Sequence, residues 1–122
     1  YQMTLKSFNL SSSKFLIMGL TFKENCNDIR NSKVFKILDK FKSKRINFEV
    51  YDPYVDKVLI KKNIANKIIE YPKSNYYDVI IITVAHSHFK NLGFLKIRNF
   101  ANKKNIIFDV KNIFPNKAIL RI

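Results

Sequence analysis

The chain has 122 residues, the length of one compact domain and not of a complete multidomain enzyme, and its 47% hydrophobic and 14% aromatic residues supply a single core and argue against intrinsic disorder. Lysine and arginine number 23 against 9 acidic residues, a net charge of +14, so an anionic partner is expected: nucleic acid, an acidic membrane surface or phosphate groups. The one cysteine excludes a disulfide framework and fits a reducing compartment, and the longest wholly apolar run, Val79 to Ile82, falls far short of the roughly 20 residues that cross a bilayer, so a soluble, cytoplasmic protein with no membrane partner is expected.

The chain opens on Tyr1, without a start methionine, as a piece of a longer protein would. Tyr1, Met3, Leu5, Phe8 and Leu10 give residues 1–13 the spacing of a connector from an upstream domain, with 14–122 as the folded domain. Lys14 to Leu20 (KFLIMGL) has strand length and ends at Gly19. Val34, Phe35, Leu38 and Phe41 then follow helical spacing, with Asn31 or Ser32 able to cap the first turn and Lys40, Lys42, Lys44 and Arg45 gathered at the carboxyl end, where the helix dipole favours cations. Ile46 to Tyr51 alternates as a strand and stops at a turn, Asp52-Pro53. Val55 to Asn63 reads as a short helix and Lys67 to Glu70 as a short strand. Asp78 to Ala85 (DVIIITVA) has the β-branched composition of a strand covered on both faces. One helix through Phe94, Leu95, Ile97 and Phe100 and a buried strand from Ile106 to Val110 complete the pattern.

Strands alternating with helices predict a three-layer α/β/α, Rossmann-like domain with a mainly parallel sheet of about five strands. Ligands of such sheets sit at the carboxyl ends of the strands. Chemistry is therefore expected in Thr21 to Arg30, Asp52 to Tyr54, His86 to Phe89 and Lys111 to Phe114. A dinucleotide fingerprint or phosphate-binding P-loop needs several glycines between a strand and a helix. The chain has two in all, Gly19 and Gly93, which excludes a self-contained site of either type.

The most informative stretch runs from Gly19 to Val34, GLTFKENCNDIRNSKV. Lys23 and Arg30 bracket a polar loop that leads into a helix amino terminus, a plausible cradle for phosphate; the plainer reading leaves Lys23 solvated and pairs Arg30 with Asp28 or Glu24. This stretch resembles the signature that opens the carboxyl-terminal domain of the UDP-glucose/GDP-mannose dehydrogenase family: G-[LF]-[AT]-F-K, a short acidic-polar spacer, then D-x-R-x-S. Three further landmarks stand in the family's order: YDP at Tyr51 to Pro53, the D-[AV]-[IV]-[IV] strand from Asp78, and D-x-[KR]-[NG] at Asp109 to Asn112. The resemblance covers about Lys14 to Arg121.

The resemblance implies the substrate domain of an enzyme that oxidises the C6 hydroxyl of a nucleotide sugar to a carboxylate, using NAD bound by an upstream domain, with a central domain forming a homodimer. The spelling is similar to the bacterial branch acting on UDP-N-acetylhexosamines for surface polysaccharides such as capsule. Carried over by position, Phe22 and Lys23 would contact the UDP-sugar, where lysine supplies a mobile point charge for an oxyanion. Arg30 would reach toward NAD. Lys111 stands where many members have a substrate-contacting arginine, and keeps that charge without the fork.

No residue of this chain is expected to be the catalytic nucleophile. The family's cysteine lies in another domain, whereas Cys26 is flanked by Asn25 and Asn27 in the loop spacer. His86 and His88, two residues apart with no third ligand nearby, read as loop or helix-start residues and make a poor metal site. Asp52, followed by Pro53, reads as a turn or cap residue. The alternative function is a basic, non-catalytic nucleic-acid-binding module, which the +14 charge and interspersed aromatics would suit but no RRM, KH or zinc-finger motif supports. The 19 lysines and 14 asparagines are spread along the whole chain, as a composition bias would spread them.

Overall fold

The structure, a computed structural model, describes residues 13–21, 33–55 and 62–114. Four strands carry the fold: β1 (Lys14–Met18), β2 (Asn47–Tyr51), β3 (Tyr77–Ile82) and β4 (Ala101–Asp109). Between them lie α1 (Val34–Ser43), α2 (Lys62–Ala65), α3 (Ser87–Leu92) and α4 (Phe94–Phe100). The strands pair in parallel in the order β2-β1-β3-β4. A parallel bridge from Ile68 to Val50 adds a fifth strand position outside β2, built on Val50 N–H donating to Lys67 O and Ile69 N–H to Val50 O.

Alternation along each strand splits the core in two. Phe15, Ile17, Phe48, Val50, Val79, Ile106 and Phe108 face one layer, where Val34 and Leu38 of α1 pack on them. Leu16, Met18, Tyr51, Ile80, Ile82 and Ile107 face the other, covered by Phe89 of α3 and by Ile97 and Phe100 of α4. Period-2 strands between amphipathic helices thus give the expected three-layer α/β/α sandwich.

Several boundaries differ from the expectations. β3 stops at Ile82, because Val84 is buried by packing against Gly19 and not by strand pairing. The helix expected through Phe94 is two helices, broken at Gly93, whose φ of 83° is outside the helical range. β4 begins at Ala101, since β3 advances from Tyr77 to Val79 while β4 advances from Ala101 to Ile106, a bulge that absorbs the polar residues 102–105. The short helix is described only at Lys62–Ala65; residues 56–61 of the expected Val55 to Asn63 helix lie outside the described residues. So do the connector residues 1–12 and the caps Asn31 and Ser32; Lys33 precedes α1 without a side-chain cap.

Candidate functional site

The register brings four strand ends to one height. Met18 pairs with Tyr51 on one side and with Ile82 on the other, and Ile82 pairs with Asp109. The segments that follow, starting at Gly19, Asp52, Thr83 and Val110, therefore leave the sheet from a single row. This is the edge where ligands of open parallel sheets bind.

At the β1 end the backbone is fixed tightly. Gly19 N–H donates to Tyr51 O at 3.1 Å, and Thr83 Oγ1 donates to Met18 O and Gly19 O at 3.0 and 2.6 Å. Gly19 has φ 116°, and a Cβ on it would lie 2.7 Å from the Cβ of Val84. The space a pyrophosphate would need beside this glycine is filled by Val84. The described turn after β1 therefore does not fit the close backbone approach to a pyrophosphate that a dinucleotide-binding turn requires.

Above that turn sits Asp52, whose side chain collects donors from three strand ends. Oδ2 accepts from Leu20 N–H at 2.7 Å and Thr21 N–H at 3.1 Å, and lies 2.9 Å from His86 Nε2. Oδ1 accepts from Tyr54 N–H at 2.9 Å, closing the Asp52-Pro53 turn. Burial raises the carboxyl pKa, but hydrogen bonds from His86, Leu20 and Tyr54 outweigh it and hold Asp52 below the ordinary carboxylate range. An ionised Asp52 keeps the Nε2 proton of His86 on this bond, with Thr21 Oγ1 3.2 Å away. The Tyr54 ring lies against the imidazole, with ring centroids 4.4 Å apart and planes tilted by 38°. Both the Asp52 and His86 side chains are 0% exposed, so the pair braces the site and does not serve as a base open to substrate. The other histidine, His88, lies 2.7 Å from the Tyr51 hydroxyl.

Asp52 does close a turn, and His86 does precede a helix, α3, as their positions implied; their meeting across 34 residues was missed. The signal lies in the strand order and not in any local stretch of sequence. β1 lies between β2 and β3, so the residues after those two strands converge over the β1 end.

Lys111 is exposed in the turn after β4, and Asp109 organises that turn. Fully buried, Asp109 accepts from Ile113 N–H through Oδ1 at 2.9 Å and from Phe114 N–H through Oδ2 at 2.8 Å. Asn112 takes φ 55°, which asparagine and glycine tolerate best. That gives the D-x-[KR]-[NG] landmark a physical meaning: the acid ties the turn, the basic residue projects, and the last position adopts left-handed backbone. Lys111 and Lys33 both line a cavity of about 300 Å³ between α1 and the sheet, with Phe41, Ile81 and Phe108 among its apolar walls. An apolar hollow with two lysines among its lining residues suits a ligand with both an apolar part and negative charge.

Phe22, Lys23, Cys26 and Arg30 lie outside the described residues. Of the sequence-derived site residues, the structure thus describes Lys111 alone. No helix among the described residues is long and apolar enough to cross a membrane.

Residues 16–116 match the profile of the UDP-glucose/GDP-mannose dehydrogenase family, UDP binding domain. The chain is 34% identical over 113 residues to the UDP-N-acetyl-D-glucosamine 6-dehydrogenase of Salmonella typhi, covering 93% of the chain and 27% of that protein. It is 35% identical over 121 residues to the enzyme of the same name from Pseudomonas aeruginosa, covering 98% of the chain and 29% of that protein. The chain thus spans less than a third of the length of these relatives. Among solved structures, the UDP-N-acetyl-mannosamine dehydrogenase Cap5O of Staphylococcus aureus superimposes with a TM-score of 0.66 at 27% identity, over 98% of the chain and 27% of that structure. These matches lend no support to the nucleic-acid-binding alternative.

Proposed function

We propose, on the premise that the chain belongs to the UDP-glucose/GDP-mannose dehydrogenase family as its UDP binding domain, that it is the substrate-binding part of an NAD-dependent nucleotide-sugar 6-dehydrogenase. The substrate is a UDP-N-acetylhexosamine, the product its uronate, and the use bacterial surface polysaccharide. The observation that carries this reading is the match over residues 16–116 laid on a parallel sheet whose strand ends share one row. In it, Phe22 and Lys23 contact the UDP-sugar, Lys111 adds positive charge from the β4 turn, and Arg30 reaches toward NAD held by another domain. The remainder of the protein supplies the cofactor site, the nucleophile and a homodimer interface, and the enzyme works in the cytoplasm. The residues of this chain bind and orient; none of them carries out the oxidation.

The test is steady-state kinetics of the full-length protein with UDP-N-acetylglucosamine, following NADH formation. Loss of one charge-assisted contact in Lys23→Ala lowers kcat/KM about tenfold or more. Unchanged kinetics in that variant would remove Lys23 from the site, and no NADH from any UDP-sugar would end the reading.

A further inference from the structure

The Asp52–His86 pair takes no part in the substrate contacts proposed above, yet among the described residues Asp52 gathers bonds from three strand ends. One oxygen, Asp52 Oδ2, serves Leu20 N–H, Thr21 N–H and His86 Nε2 together. Its other oxygen is engaged by Tyr54 N–H. The donors come from the ends of three adjacent strands, so the carboxylate ties β2 and β3 to the residues that leave β1. Thr21 is itself 1% exposed, with its hydroxyl oxygen 3.2 Å from the same imidazole nitrogen. The next two residues of the chain are Phe22 and Lys23.

We infer that Asp52 and His86 are positioning residues, a buried clamp that sets where and in which direction the chain leaves β1 at Leu20 and Thr21, the residues that precede Phe22 and Lys23 in the sequence. The inference rests on the substrate role proposed for those two residues. Two anchors act on consecutive peptides: Gly19 is pinned through Tyr51 O and Thr83 Oγ1, and Leu20 and Thr21 through Asp52. Removal of His86 strips one donor from a carboxylate whose side chain is fully buried, and the two backbone N–H groups that share its oxygen must shift with it. A displacement of about 1 Å at a residue that orients substrate is enough to cost up to roughly 100-fold in rate. A bracing role alone predicts lower stability with normal affinity in the folded fraction. Positioning predicts a defect that disappears once Lys23 is gone.

A double-mutant cycle in the full-length protein separates the two, with UDP affinity by titration calorimetry as the readout. His86→Ala and Lys23→Ala each weaken UDP about tenfold, and the double variant binds about as weakly as Lys23→Ala alone, because a misdirected lysine and an absent one are equivalent. His86→Gln, whose side-chain N–H can reach Asp52, stays within about threefold of wild type. Losses that multiply to roughly 100-fold in the double variant, or a His86→Ala protein that binds UDP normally, overturn the inference and leave the function proposal intact. A Lys23→Ala protein with normal UDP affinity overturns the role of Lys23 and the inference with it. Should His86→Ala fail to fold by circular dichroism, Asp52→Asn, which keeps shape and removes charge, takes its place in the cycle with the same outcomes.

Discussion

Replacing Gly19 with alanine tests the architecture where it is tightest. Two costs meet at that position. At φ 116° an L-residue occupies backbone it rarely adopts, a strain of about 1–3 kcal/mol. The added methyl also lies 2.7 Å from Val84 Cβ and 2.8 Å from Val84 N, an overlap with fixed atoms that costs a further ~1–3 kcal/mol as overpacking. Relief by sliding the peptide is opposed by its bonds to Tyr51 and Thr83. The sum, about 2–6 kcal/mol, is a large share of the roughly 5–15 kcal/mol that stabilises an ordinary domain. Gly93 supplies the internal control, since its φ is 83° but nothing lies within 4 Å of a Cβ built there. Gly93→Ala therefore bears only the backbone cost. Thermal unfolding of the 122-residue chain should place Gly19→Ala about 10 °C or more below wild type, and clearly below Gly93→Ala. Val84→Ala will not rescue it, because the clash with Val84 Cβ and N remains. Equal melting temperatures for the two glycine variants would refute the close approach.

Two further outcomes follow from the buried acids. Asp52 titrates below its unfolded value of about 3.9, so its bonds contribute stability that is present above pH ~4 and lost as pH falls through the lower folded pKa. Urea midpoints of wild type and Asp52→Asn should differ most at neutral pH and converge on acidification; a constant difference would contradict an ionised Asp52 in the folded state. Asp109→Ala removes the acceptor of Ile113 and Phe114 N–H, a cost of about 1–3 kcal/mol for two hydrogen bonds at roughly 0.5–1.5 kcal/mol each. Amide exchange at Ile113 and Phe114 should accelerate ahead of global unfolding, whereas unaltered exchange would mean that Asp109 does not tie the turn carrying Lys111.

What could be read in the residues was what depends on periodicity. Phe15 and Ile17 against Leu16 and Met18 assign the faces of β1 before any contact is seen, and the same alternation places the sheet between two helical layers. Boundaries failed where burial and pairing part company: Val84 is buried without being in a strand, and β4 carries polar residues because a bulge sets them out of register. Gly93 shows the converse, a single backbone conformation dividing an otherwise continuous helical pattern. The Asp52–His86 contact was hidden because it depends on strand order, which no local window contains. Lys111 was placed from the D-x-K-N spelling, but its geometry depends on Asp109 and on the left-handed Asn112 beneath it.

The single row formed by Met18, Tyr51, Ile82 and Asp109 has an evolutionary consequence. Below it, the buried apolar strand residues are committed to one of two packed faces, and change there is costly. Above it, each connection begins from the same level, so its length and composition can be exchanged without disturbing the layers underneath. A sheet cut off so evenly works as a socket: what the loops above it contact can be rewritten one connection at a time while the stability of the base is inherited unchanged.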